Sequence, residues 1–426
     1  MTMAKFGATK ALRDPKMLAL LLLGFSSGLP LFLTSRTLQA WMTVEGVDLS
    51  VIGLFSLVAL PYSLKVFWAP LVDRYVPPFL GRRRGWLIVT QIALLIAIAA
   101  MALHDPRRGL QLLAFNAILI AVFSATQDIV FDAYKVDVSD TEAETGLAAA
   151  VGVFGYRIAL LVTGALAFVL ADHMAWRTVY LLMALFMVVG IVTTLWAPEP
   201  RAPAAAPLSL ADAVKLPFMD FFKRSGFGRA LLMLAFVIFF RYGDALAQNM
   251  VTPFLLQSGY TATDIGTVQG GLGLAATIVG VLMGGAVVMR LGIGWSLLVL
   301  GIIQALSNFV YYGLALVPDR YPLMVGAIIV ENISGGLGTA AFVAFLMSLC
   351  SHAFSATQYA LLSSLNAISR DVLVAPAGGL AEVTGWPTFF LITLAAAVPG
   401  MILLLVLRPW RDRTGMVAST EPAPPD

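Results

Sequence analysis

Charged side chains are scarce in this chain of 426 residues: Asp, Glu, Lys and Arg make up 12% of it, and hydrophobic residues 59%. A soluble domain carries about 25% charged residues and about 45–50% apolar ones. With a mean hydropathy of +0.88, an ordinary globular protein is excluded. Cysteine is nearly absent as well. The single Cys350 rules out an internal disulfide or a Cys-x-x-Cys site and reads as a buried, inert side chain near a helix end. The three histidines, His104, His173 and His352, fall far apart in predicted loops, so no metal centre is expected. No nucleophile elbow, Walker loop or His-Glu-x-x-His stretch is present, and nothing argues for an enzyme or a bound cofactor. No cleavable leader is expected. The first apolar run is interrupted by Ser26-Ser27-Gly28-Leu29-Pro30, lacks a small-residue cleavage pattern and continues into a full span.

What the chain has is apolar stretches of spanning length, near 17–42, 50–72, 86–103, 110–133, 146–170 and 176–196. A second set lies near 228–256, 263–289, 294–316, 321–349, 355–380 and 386–407. A spanning helix takes roughly 20 apolar residues, so about twelve of them use nearly the whole length. The expected organisation is a six-helix half over 1–196, a linker over 197–227, a second six-helix half over 228–413 and a disordered tail over 414–426. The linker holds Pro198, Pro200, Pro203 and Pro207, and its part from Leu208 to Phe222 reads as an amphipathic helix on the membrane surface.

With an even number of spans and a cytoplasmic N-terminus, 18 of the 27 Lys and Arg residues fall on the inner side. Arg107, Arg108, Arg177 and Arg320 fall outside, and Arg36, Lys65, Arg157, Arg241 and Arg370 fall within spans. That asymmetry follows the positive-inside rule. It also accounts for the net charge of +3 and the pI near 9.0 without nucleic acid.

The chain repeats itself at half its length. Gly46, Ile52 and Gly53 recur as Gly259, Ile265 and Gly266, a shift of 213 residues, and Arg157 and Arg370 are separated by the same shift. Such matches at one offset argue for two related halves, which is how many membrane transporters are built.

Ionisable side chains within spans cost several kcal/mol unless paired or hydrated, and so mark function by default. The set is Lys65, Asp128, Asp132, Arg157, Arg241, Asp244, Glu331, Arg370 and Asp371. At about 1.5 Å per residue, Arg157 and Arg241 lie roughly 18–20 Å from one end of their helices and Glu331 roughly 15 Å from the other, near mid-membrane. Asp128 and Asp132 share a helix face and repel unless a cation or proton intervenes. Lys65 belongs at a similar depth to Asp128, as a fixed ion pair or as partner to a titrating group. Glu331 has no charged neighbour in its own span and is a candidate proton carrier. The arginines suit an anionic cargo, since guanidinium binds carboxylates bidentately. Arg241 and Asp244, three apart, can equally neutralise one another. Gly24, Gly28 and Pro30 read as a break in the first span that exposes backbone to a cavity, or else as close helix packing. Trp41, Tyr62, Trp68, Tyr134, Tyr156 and Tyr242 offer faces for sugar rings, or serve packing.

The second and third spans are joined by Asp73-Arg74 and Gly81-Arg82-Arg83-Arg84-Gly85. This resembles the loop signature of the major facilitator superfamily, with the spacing widened by Tyr75 to Leu80. An acid at a helix end beside several arginines can clamp the cytoplasmic face; ordinary positive-inside charge is the plainer account. Three further stretches, Gly24 to Pro30, Thr37 to Glu45 and Ala125-Thr126-Gln127-Asp128-Ile129-Val130-Phe131-Asp132-Ala133-Tyr134-Lys135, point the same way. With Gly155-Tyr156-Arg157 and Ala197-Pro198-Glu199-Pro200 they resemble the AmpG-type muropeptide permeases of Gram-negative inner membranes. The likeness is strong in the first half and mainly architectural in the second.

The resemblance implies an all-α membrane protein of the major facilitator fold, importing anhydro-muropeptides by proton symport in a peptidoglycan-recycling route that can feed β-lactamase induction. It implies no cofactor beyond the proton gradient. The partners it implies are a sugar-peptide substrate, protons and membrane lipid, for a chain expected to be monomeric. The substrate-binding set is Gly28, Gln127, Asp128, Tyr156, Arg157, Arg241 and Arg370. Proton coupling falls to Asp128, Asp132, Asp244 and Glu331, with Lys65 as charge partner, and the cytoplasmic gate to Asp73, Arg74, Gly81, Arg82, Arg83 and Arg84. Many family members are longer by two additional spans, and Arg36 near the mouth of the first span is a departure. The alternatives are a carrier of another anionic metabolite such as acetyl-CoA, or a receptor or scaffold that does not transport.

Overall fold

The computed structural model describes residues 14–139, 142–200, 210–318, 320–350 and 355–408. Every element among them is helical. Nine helical runs among the described residues are long and apolar enough to cross a membrane, and Leu49–Leu64 forms a shorter apolar helix. One of the nine, Ala262–Leu316, is 55 residues long, and its helical geometry fails at Gly292 (φ 73°). It therefore supplies an eighth and a ninth span. The second span is pieced from short α- and 3₁₀-helical segments over 49–74. The eleventh runs over 355–384, with a π-helical stretch at Ser369–Leu373. Among the described residues the fold is thus all-α, and with these two stretches of shorter helices counted it has twelve spans, six to each sequence half. The linker helix runs Leu210–Ser225, while 201–209 and the tail expected over 414–426 lie outside the described residues.

The chain forms two compact units. One comprises 1–207 together with 249–272 and 374–383; the other comprises 208–248, 273–373 and 384–426. In the first unit the opening helix, Pro15–Leu33, is capped by Asp14, whose carboxylate accepts from the Lys16 N–H at 2.9 Å. It is continuous through Gly24 and Gly28, which corrects the expectation of a break there. Non-helical backbone comes only at Ser35 (φ −127°, ψ −106°), before a second helical piece at Arg36–Val44. The glycines serve close approach instead. A Cβ on Gly24 would lie 2.2 Å from the Gly152 carbonyl oxygen, and one on Gly155 would lie 2.0 Å from that of Leu21. The first and fifth spans thus cross backbone to backbone, as small residues allow in a membrane.

Trp41 and Tyr134, candidates for sugar stacking, are packing residues. Trp41 is buried against Trp176 and Tyr180, and the buried Tyr134 donates its hydroxyl to the Pro198 carbonyl at 2.8 Å.

The second unit is centred on the pairing of Leu274–Leu316 with Tyr321–Leu349. Gly280 and Gly284 meet the carbonyls of Ile333 and Leu337 at distances no Cβ would tolerate. An aromatic core of Phe236, Phe240, Phe342 and Phe345 fills one side, with Phe240 stacked on Phe342 at 5.6 Å and Phe236 edge-on to Phe345 at 5.0 Å. Cys350 is half-buried, its thiol directed to the Leu346 carbonyl at 3.2 Å.

Candidate functional site

The fourth span, Leu110–Asp137, carries the polar face of the first unit. Asp128 is half-buried and accepts a short hydrogen bond from the Ser27 hydroxyl. Its neighbour Gln127, fully buried, donates from Nε2 to the Ser26 hydroxyl at 3.2 Å, while its Oε1 has no partner among the described residues. Two adjacent serines on the first span therefore engage two adjacent polar residues on the fourth. Gly28 makes this placement feasible, because a Cβ there would lie 2.7 Å from the Tyr156 carbonyl oxygen. Its described role is to seat the first span on the fifth, next to Tyr156.

One turn along, Asp132 is 59% exposed at its side chain and pairs with Lys135 at 2.7 Å and with Lys65 at 3.9 Å. The repulsion expected between the two acids is thus met by two lysines at Asp132 and by a neutral hydroxyl at Asp128. Lys65 takes Asp132 as its ion-pair partner. Lys135 also lies 4.8 Å over the Phe131 ring. Arg157 is exposed and has no hydrogen-bond or ion-pair partner among the described residues.

In the second unit, Arg241 bridges two helices. One guanidinium nitrogen donates to the Thr339 hydroxyl at 2.9 Å and another to Asp244 at 3.2 Å. Both charges are largely buried, at 25% and 10% side-chain exposure, and the second Asp244 oxygen has no partner among the described residues. Glu331 is buried and accepts from the Asn332 side chain at 3.0 Å; Asn332 Oδ1 in turn accepts from Thr277 at 2.9 Å. Arg370 is 60% exposed and lies 3.2 Å from the buried Asp371, within the π-helical stretch.

The loop ahead of the third span is built around an acid outside the expected gate. Glu199, after the sixth span, accepts from the backbone N–H groups of Arg83 and Arg84, both at 3.0 Å, and so caps the helix Arg82–Met101. Gly81 has a left-handed backbone (φ 81°), and a Cβ there would meet the Glu199 carboxylate. Arg83 pairs with Asp137 at 2.6 Å. Arg84 donates to the Thr194 and Leu195 carbonyls, closing the end of the sixth span. Arg82 is half-buried, its Nε without a partner among the described residues. Asp73 and Arg74 end the helix Ala69–Arg74, but their side chains lie outside the described part of the structure.

Sequence reasoning missed Ser27, Lys135, Asp137, Glu199 and Thr339 as partners. Ser27 and Glu199 stood inside motif stretches, and Asp137 was an acid at a helix end on the side that carries the arginine run. Thr339 gave no signal. Among the described residues no three His, Cys, Asp or Glu side chains come together as a metal site.

Residues 20–370 match the family model of the Major Facilitator Superfamily. The chain is 50% identical over 398 residues to the anhydromuropeptide permease of Escherichia coli K12, an alignment covering 93% of this chain and 80% of that one. The chain belongs to the Major Facilitator Superfamily and, within it, to the AmpG-type permeases. A putative transporter AmpG 4 from Rickettsia felis is 36% identical, with 94% of this chain and 98% of the relative covered. Among solved structures, a peptide transporter POT in complex with sulfate superposes with a TM-score of 0.68 at 12% identity, covering 94% of this permease and 95% of that chain. The nucleoside transporter NupG gives 0.67 at 16% identity, over 92% and 99%. At such identities these neighbours speak for the fold alone. Permeases of this superfamily are carriers, not enzymes.

Proposed function

We propose that this permease imports anhydro-muropeptides across the bacterial inner membrane into the cytoplasm, coupled to proton entry, by alternating access. The chain acts as a monomer in lipid with both termini cytoplasmic. The observation that carries the reading is the pairing of Ser26 and Ser27 with Gln127 and Asp128. It unites two of the stretches that carry the family likeness, around a carboxylate within a span, where charge is costly. Asp128 is held by a neutral donor, so it can gain and lose a proton without breaking an ion pair. Asp132, fixed by two lysines, is better suited to setting the local field.

Arg157 supports an anionic cargo. It is a permanently charged guanidinium with no described acid to neutralise it, and its fork matches a carboxylate. Arg241 is already occupied by Asp244 and Thr339, and its first role is to tie two helices of the second unit together. Arg370 keeps most of its surface open beside Asp371 and is a second candidate for cargo carboxylates.

The test is uptake of labelled anhydro-muropeptide into proteoliposomes, with and without an inward proton gradient, by the unmodified chain and by Asp128→Asn. Gradient-driven accumulation that the variant loses supports the reading. Folded protein that accumulates labelled acetyl-CoA but no muropeptide overturns the substrate, and gradient-independent accumulation overturns the coupling.

A further inference from the structure

The first compact unit contains more than the first sequence half: 249–272 and 374–383, from the seventh, eighth and eleventh spans, belong to it. Among the contacts that hold them there, two kinds occur twice, each built on helix-start positions related by the 213-residue repeat. In the first kind, Gly53 of the second span meets Gly378 of the eleventh. A Cβ on Gly53 would lie 2.7 Å from the Gly378 nitrogen. The repeat mates of Gly53 and Gly378 are Gly266 and Ala165, and they too are in contact: a Cβ on Gly266 would lie 3.0 Å from the Ala165 carbonyl oxygen.

In the second kind, the Ser50 N–H donates to the Glu382 carboxylate at 3.3 Å. Its repeat mate, the Thr263 N–H, donates to the Asp172 carboxylate at 2.6 Å. Ser50 and Thr263 each occupy the second position of a helix, one starting at Leu49 and the other at Ala262. Their N–H groups are among the donors that a first helical turn leaves open, at the positive end of the helix dipole. Glu382 and Asp172 are not repeat mates: the position equivalent to Asp172 is Gly385, and that equivalent to Glu382 is Val169. Two different positions near the ends of the eleventh and fifth spans thus supply the same cap to the opposite half, which simple inheritance of a duplicated sequence does not explain. Both acids are exposed at this end of the helices.

We propose that Asp172 and Glu382 are paired latches. Each holds the first turn of a span from the other half, and both release when this end of the transport path opens. The proposal rests on the transporter reading above. A single exposed carboxylate at a helix N-terminus holds weakly, so the latch is reversible, while the glycine contacts permit the close approach that makes it reach.

The experiment removes Cys350 by Cys350→Ser and adds Gln39→Cys. Gln39 is 6% exposed and hydrogen-bonds Asn249 at 3.1 Å, so a thiol there is expected to react faster when 249–272 moves away. Labelling by a membrane-impermeant maleimide is then timed in proteoliposomes, with no cargo present. Asp172→Ala and Glu382→Ala are each expected to speed labelling about two- to fivefold. The double variant should speed it by about the product, since the sites are separate. Asp172→Asn, which keeps an acceptor oxygen, should fall between. Amide hydrogen exchange is the second measurement: Glu382→Ala should speed exchange in 49–64 alone, and Asp172→Ala in 262–273 alone. A double variant that labels no faster than its parent overturns the proposal, as does loss of amide protection spread evenly over the fold. Neither readout uses a cargo, so a failed muropeptide assay would overturn the function proposed above and leave the latch tested on its own terms.

Discussion

Asp128 has two kinds of neighbour: a hydroxyl donor on the first span, and, one turn along its own helix, an acid already held by two lysines. Coupling and binding make different demands on such a group. If Asp128 carries the proton, Asp128→Asn abolishes gradient-driven uptake but leaves exchange of cargo across an equilibrated membrane close to the parent rate. Loss of both would make it a cargo ligand instead. A hydrogen bond to a charged group contributes about 1.5–3 kcal/mol, so Ser27→Ala should cut gradient-driven uptake at least about tenfold, with Ser27→Thr restoring most of it. Equal loss in both variants would mean that the hydroxyl is not what matters.

Arg241 and Asp244 can be judged by a double-mutant cycle. Breaking a largely buried ion pair from one side leaves a bare charge and costs about 3–5 kcal/mol, whereas replacing both members costs less. Arg241→Met and Asp244→Leu should therefore each lower the melting temperature in detergent more than the two together. Additive losses would refute a structural pair.

The helix ends follow the same logic at the scale of elements. The third span starts where Glu199 accepts two backbone N–H groups, and losing such a cap costs about 0.5–2 kcal/mol. Glu199→Ala should lower the melting temperature by a few degrees, with Glu199→Gln between, because the amide oxygen still accepts. An unchanged melting curve for Glu199→Ala would show that the cap adds nothing. Helix crossings are decided by space. Gly155→Ala forces a methyl to 2.0 Å from the Leu21 carbonyl oxygen, whereas Gly285→Ala meets nothing within 4 Å. The first should reduce the yield of monodisperse protein sharply and the second leave it unchanged. These elements were legible in unequal degree. Apolar length alone marked the spans. Glycine at 24 and 28 fitted both a broken helix and a tight crossing, and only the partner backbone at Gly152 and Tyr156 decides between them. The Glu199 cap joins residues more than a hundred positions apart, a pairing that no local pattern encodes.

Across the whole molecule, the 213-residue repeat is kept in the backbone and lost in the chemistry. Gly46 and Gly259 both adopt left-handed turns (φ 74° and 94°), and helices begin at the equivalent Leu49 and Ala262. Lys65, Asp128 and Asp132 have Ile278, Ala341 and Phe345 as mates, while Arg241 and Glu331 correspond to Gly28 and Ile118. This is why the repeat could be read from glycines and helix starts while the partners of each charge could not: chain geometry is duplicated, but the ionisable groups were placed separately in each half. Arg157 and Arg370 are the charged residues of the candidate site that the repeat preserves, and both are exposed in their spans. Their surroundings differ, however, since Asp371 stands beside Arg370 and its mate beside Arg157 is Ile158. If the shared guanidiniums meet cargo carboxylates, the one without an acid should contribute more. Arg157→Gln should then raise the KM for anhydro-muropeptide about tenfold, in keeping with the strength of a charge-assisted pair. Arg370→Gln should raise it less and also lower the melting temperature, because Asp371 is left buried without that cation. A cargo whose carboxylates are amidated supplies the control, and its KM should not respond to Arg157→Gln. Equal sensitivity of the charged and amidated cargoes would mean that Arg157 shapes the path without binding the charge.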